Sequence, residues 1–224
     1  AAAGMIVGTV TLTGLGLKLA NGLIELARGQ LLPTLMFTML TSLVLGMGAP
    51  TTANYVITST IAAPALLKLG VPAIAAHMFA FYFGIVADLT PPVALAAMAG
   101  AGIAKANPFK TGVESTKLAI AAFLVPYFFV YSPSLLLIGN VSWLHTLRVV
   151  AGALLGMLGL GAGVEAWFVT NTRGVERLLL LVGGLSLIHP SVTTDVVGII
   201  FIGAVYLIQK ARVGRETTQT TARV

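Results

Sequence analysis

The chain is a succession of long uncharged apolar runs, and two of them are interrupted by residues that cannot continue a helix. The first interruption reads GMGAPTTANY from Gly46 to Tyr55, and the second reads ADLTPP from Ala87 to Pro92. Hydrophobic residues make up 57% of the sequence and charged residues only 9%, against roughly a quarter charged in a soluble domain. Such a chain cannot cover itself with polar groups, so lipid is its solvent. Every backbone N–H and C=O in the bilayer core then needs a partner supplied by the protein. The runs lack the alternation of barrel strands, which leaves an all-α, polytopic membrane protein. The net charge of +6 does not indicate a nucleic-acid surface, because the Lys and Arg residues stand singly or in small groups at the ends of apolar runs. That is the pattern of membrane orientation. With no cysteine in the sequence, disulfides, thiolate metal sites and Cys nucleophiles are excluded.

Along the chain, residues 5–27 form an apolar segment carrying Lys18 and Glu25, read as a weak spanning or interfacial helix. Pro33 opens the next helix, which runs uncharged to Met47 and covers about 22 Å, too short to span comfortably. A second short arm follows from Thr51 to Leu67, closed by Lys68 and Gly70. Two short arms around a Gly/Pro/Thr tip predict a re-entrant hairpin at about residues 31–70. Between Ala73 and Lys105 the apolar run is long enough to cross once, but Pro91 and Pro92 supply no N–H and push their predecessors out of the α region. This predicts a discontinuous helix over about 73–104.

The stretch from Lys105 to Lys117 is read as a solvated linker, cytoplasmic by its lysines, so the hairpin enters from outside. A helix over 118–138 kinked at Pro126 and Pro133, a glycine-rich helix from Leu144 to Val169, two short pieces separated by His189-Pro190, and a polar, unstructured tail over 214–224 complete the reading. The chain opens without Met and is expected to be a piece of something longer.

The two breaks carry the chemistry. A helix interrupted at membrane depth exposes carbonyls and N–H groups that can replace the water around an ion or substrate. Gly46, Gly48 and Ala49 let backbone approach closely, while Thr51, Thr52 and Asn54 add neutral oxygen and amide groups. Hard cations such as sodium favour that shell. The helix N-terminus near Thr51 suits a carboxylate. Asp88 is the one acid between Glu25 and Glu114 and sits at the second break. Ion or proton coupling is favoured for it over a helix cap or a salt bridge with Lys68. His77 precedes Asp88 by about 16 Å of helix, too far to share a metal, and is read as packed or interfacial, as are His145 and His189. Glu165 is a weaker candidate for a buried polar role, with snorkelling as the alternative.

The stretch from GMGAPTTANY to GIAKANPFKTG, with GMGxPTTA and DLTPPVALAA in that order, resembles the C-terminal repeat of the large membrane subunit of TRAP transporters, the tripartite ATP-independent periplasmic carriers. The nearest form is the fused-permease type paired with TAXI-type binding proteins. The resemblance covers about residues 1–139. It implies one inverted-repeat half of a sodium-driven elevator transporter in a bacterial or archaeal inner membrane, followed by additional helices over 140–213. It also implies that Gly46–Asn54 and Ala87–Pro92 face each other, forming one sodium site and half of a substrate site. The ion side is assigned to Gly46, Gly48, Thr51, Asp88 and Thr90, and the substrate side to Thr51, Thr52, Asn54 and Pro91. Implied partners are a periplasmic substrate-binding protein, a small membrane subunit or its fused equivalent, and the permease's other repeat. Many relatives carry an aspartate at the hairpin tip, where this chain has Ala49-Pro50, and lack one at the position of Asp88.

The expected function is therefore import of a small organic anion coupled to sodium, with no bond-breaking catalysis, because no acid pair, nucleophile and base, or metal cluster has usable spacing. The rivals are a non-transporting scaffold or channel module and an intramembrane enzyme using Asp88 and His77.

Overall fold

The computed structural model describes residues 2–139, 142–188 and 191–221. The named elements are all helices, the outcome expected where backbone groups must be paired within each segment. The chain divides into two compact units, one of Ala1–Ala119 with Leu136–Gly139 and one of Ile120–Leu135 with Asn140–Val224.

The first unit begins with α1 (Ala2–Thr13) and α2 (Leu15–Leu26). They meet at a bend of 66° at Gly14, so the single segment expected over 5–27 is two helices. The next helix, α3 (Leu31–Gly46), has Pro33 in its first turn, where a missing N–H costs nothing. After the GMGAP turn come α4 (Thr51–Ile61) and α5 (Ala63–Lys68), separated at Ala62 just before Pro64. The second apolar arm is thus two pieces. Lys68 donates to Asn21 Oδ1 at 2.5 Å, so the salt bridge considered between Lys68 and Asp88 is replaced by this amide contact.

Further along are α6 (Ala73–Val86), a 3-10 turn over Ala87–Leu89, and α7 (Leu95–Ala104). The discontinuous helix expected over 73–104 therefore breaks between Thr90 and Ala94. Phe79 and Phe83 stack edge to face at 4.9 Å and, with Leu35 and Leu66, are fully buried in this unit. The stretch read as a solvated linker is mostly helical: α8 (Pro108–Leu118) starts at Asn107, whose side chain accepts from the Lys110 N–H at 3.0 Å. Asn-Pro supplies a cap and an N1 proline together, a start signal that outweighs the polar composition.

In the second unit the helix expected over 118–138 is fragmented. A 3-10 turn over Ile120–Leu124 leads into α9 (Val125–Tyr131), and a further 3-10 turn follows at Pro133–Leu136. Each proline opens a new short element instead of kinking a continuous one.

Three helices form the rest: α10 (Trp143–Glu165), α11 (Gly174–Ser186) and α12 (Val192–Thr221). They run antiparallel in succession, α11 lying centrally. Glycine makes this possible, because a methyl at Gly184 would lie 2.8 Å from the Gly156 carbonyl oxygen, and one at Gly198 would lie 2.8 Å from that of Gly183. The expected pieces of about 11 and 14 residues are helices of 13 and 30 residues; His189 and Pro190 lie outside the described residues. The tail expected to be unstructured from 214 continues α12 to Thr221. Trp143–Glu165 and Val192–Val213 are each long and apolar enough to cross a bilayer, whereas α3 and α7 are apolar but shorter than one crossing.

Candidate functional site at two helix breaks

Helix α3 carries Thr34, Thr38, Ser42 and Gly46 four residues apart, so all four lie along one face. All four are buried, and this polar stripe leads directly to the first break. There the chain leaves α3 through an extended Met47 and a left-handed Gly48 with φ 73°, a conformation glycine adopts without the penalty of a Cβ. Pro50, also extended, then precedes α4.

The second break lies against the first. A methyl at Gly46 would sit 2.4 Å from the Gly84 carbonyl oxygen, and one at Gly48 would sit 4.0 Å from Val93 Cγ1. Between Gly46 and Gly84 lies the side chain of Asn54, fully buried. Its Nδ2 points to the Gly46 carbonyl oxygen at 3.5 Å, the outer limit for a hydrogen bond. Its Oδ1 would come within 2.3 Å of a methyl at Gly84 and has no hydrogen-bond partner among the described residues.

Asp88 follows Gly84 by four residues, about one helical turn, on the same side of α6 and its 3-10 extension. The residue is half-buried and its Oδ1 is cut off from solvent, again without a hydrogen-bond partner among the described residues. The hydroxyls of Thr38 and Ser42 are buried and unpartnered in the same sense. The helices that meet at Asn54 thus carry an amide oxygen, a carboxylate oxygen and two hydroxyls without their usual partners among the described residues. Buried polar atoms in that condition are costly and rare.

The remaining predicted residues are placed as follows. Thr90 donates its hydroxyl to the Val86 carbonyl oxygen at 2.8 Å, closing the end of the α6 segment. Pro91 packs on α8, where Gly112 leaves room: a methyl there would meet Pro91 Cγ and Ala94 Cβ at 3.3 Å each. Ala94 itself is in the left-handed region with φ 41° and is buried, a conformation that costs a residue with a Cβ about 1–2 kcal/mol. Thr51 and Thr52 are exposed in the first turn of α4, where the leading N–H groups have no partner within the helix. Gly46, Asn54 and Gly84 therefore come together inside, with Asp88 one turn further along, while Thr51 and Thr52 are exposed at the first tip.

His77 is occupied elsewhere: its Nδ1 lies 3.2 Å from the Tyr55 hydroxyl. Because α6 is continuous from Ala73 to Val86, His77 stays about 16 Å along the axis from Asp88. Among the described residues no group of three or more His, Asp and Glu could hold a metal ion. Glu165 ends α10 exposed.

Three things escaped the sequence reading. The Thr38/Ser42 pair had a readable signal in its four-residue spacing with Gly46. Gly84 and Gly112 had none, because their role depends on what packs against them. Glu176 is the buried acid of the second unit: it accepts from Gln209 Nε2 at 2.8 Å, from the Arg173 N–H at 3.1 Å and from Arg212. Its side-chain partners Gln209 and Arg212 lie more than thirty residues away in sequence, so the local Arg173–Glu176 contact at the helix start does not reveal its burial.

The family model described as “Tripartite ATP-independent periplasmic transporter, DctM component” matches residues 1–144. No curated protein and no solved structure matches the chain.

Proposed function

The chain belongs to the DctM family of tripartite ATP-independent periplasmic transporters, and from that membership we propose that it is the permease portion of a sodium-coupled importer of small organic anions. The family is one of multi-pass membrane permeases, not of enzymes, and membership implies a periplasmic binding protein and a small membrane subunit as partners. We infer as well that the substrate is a carboxylate delivered by the binding protein, that transport is coupled to sodium, and that the chain sits in an inner membrane with a re-entrant hairpin and an elevator motion. Residues 1–139 are read as the C-terminal repeat, with the fused-permease, TAXI-associated form as nearest kin, and the other repeat completes the site.

The observation that carries this reading is the close approach of the two broken segments at Gly46, Asn54 and Gly84, with a buried oxygen that has no partner among the described residues on each, Asn54 Oδ1 and Asp88 Oδ1. A hard monovalent cation is satisfied by such a shell of carboxylate, amide, hydroxyl and carbonyl oxygens. Asp88 supplies the charge, and Gly46, Gly48 and Thr90 supply backbone approach and carbonyls beside it. Asn54 belongs on this ion side and not with the substrate, because its side chain is buried between Gly46 and Gly84. Thr51, Thr52 and Pro91 keep the substrate role, with a carboxylate set against the unpaired N–H groups that open α4.

The test is the thermal stability of the complete transporter in sodium and in potassium at equal ionic strength. A site that binds sodium only when folded stabilises by about 2.7 kcal/mol at a hundredfold excess over Kd, and Asp88→Asn abolishes that gain. Identical melting curves in the two salts would return the chain to the scaffold or channel reading.

A further inference from the structure

The three-helix part of the second unit contains a groove that the transport site does not use. Helices α10 and α12 both pack on α11 and touch each other little, so a furrow is left between them. One section, about 270 Å3, is walled by Leu155, Phe168, Ile199, Ile202, Gly203 and Tyr206. It shares Leu155 and Ile199 with a second section of about 310 Å3 that reaches Val196 and the Arg148–Asp195 ion pair. From Tyr206 to Val196 the groove follows α12 for about 15 Å, half the hydrocarbon thickness of a bilayer. Gly203 opens its floor, with no atom within 4 Å of where a methyl would stand.

The mouth at the Tyr206 end is basic and aromatic. Phe168 and Tyr206 meet with ring centroids 6.3 Å apart, and the Lys210 ammonium lies 5.8 Å from the Tyr206 ring centre. Trp167, exposed beside them, has the amphipathic character of an interfacial residue. Two other cations at this end are engaged: Arg212 holds Glu176, and Arg177 donates to the Gly163 and Val164 carbonyl oxygens at 2.6 and 3.0 Å. Lys210 has no acidic partner among the described residues.

We infer that this groove is a binding site for one anionic phospholipid, with an acyl chain lying between α10 and α12 and the phosphate held by Lys210. The dimensions select the occupant. A transmembrane helix is about 10–12 Å across with its side chains and cannot enter sections this small, whereas a single chain of methylenes fills them over the depth of one leaflet. The uncompensated ammonium at the mouth selects a negative headgroup over a zwitterionic one. Tyr206 serves both parts, its ring against the chain and its face toward the ammonium.

These 224 residues contain two tryptophans, so Trp143→Phe leaves Trp167 as their reporter. In phosphatidylcholine vesicles, quenching by a small fraction of phosphatidylglycerol with brominated chains is compared with quenching by brominated phosphatidylcholine. The expected preference for phosphatidylglycerol is about fivefold, the factor given by one basic side chain at a membrane surface. Lys210→Gln brings the ratio to one, and Gly203→Leu, which fills open space, lowers quenching by both lipids. Added inorganic phosphate leaves the preference unchanged. A ratio of one in the parent, a preference that survives Lys210→Gln, or its loss on adding free phosphate overturns the proposal. Sodium coupling plays no part in this readout, so it stands or falls apart from the transport assignment.

Discussion

Asp88 in the first unit and Glu176 in the second are both acids set among apolar helices, yet their surroundings are opposites. Glu176 accepts from the Arg173 N–H, Gln209 and Arg212, and Gln209 Oε1 in turn accepts from the Val169 and Thr170 N–H groups at 3.0 and 3.2 Å. Asp88 keeps a buried oxygen without a partner among the described residues, and so does Asn54, which lies against Gly84 one turn earlier on the Asp88 helix. A saturated polar network fixes structure, whereas an unsaturated one is tolerated where a ligand completes it. The units differ in their glycines as well. Those of the second unit bring intact helices together, whereas Gly46 and Gly84 bring together two helices near the points where they stop.

Substitutions sharpen this contrast. The largest expected effect is that of Glu176→Ala, which strands Arg212 and costs roughly 3–5 kcal/mol; thermal unfolding falls while the difference between sodium and potassium persists. If that difference vanished instead, the division into a structural and a functional acid would fail. Gly46→Ala drives a methyl into the Gly84 backbone and costs about 1–3 kcal/mol, read as a lower melting temperature together with reduced uptake.

Asp88→Asn goes the other way. Measured without sodium, neutralising a half-buried carboxylate with one buried oxygen unpartnered among the described residues leaves stability unchanged or raises it by about 1 kcal/mol, while sodium no longer stabilises. A marked loss of stability in potassium would show that Asp88 is structural after all. The smallest effect is expected at Gly152, where no atom lies within 4 Å of an added methyl. Gly152→Ala relieves a glycine inside a helix and gains about 0.5–1 kcal/mol.

What could be read from sequence follows the range of the interactions involved. The breaks at Gly46–Pro50 and Thr90–Ala94 were legible because proline and glycine act on their own backbone. The helical start at Asn107-Pro108 carried an equally local signal, but three lysines argued for a linker and obscured it. The fragmentation after Ala119 was not legible, because a proline in a helical run can either kink the helix or open a new one, and neighbouring packing decides. Asn54 was expected at the substrate face, whereas its side chain is fully buried. Its polarity is visible in sequence, whereas its burial against Gly84, thirty residues on, is a product of the fold.

The wedged Asn54 amide also limits how the first unit can deform. It lies on α4, reaches the last carbonyl of α3 and rests on Gly84 of α6, so sliding any one of these helices past the others would strip its cover. Any displacement that keeps this amide covered carries the three helices as one piece.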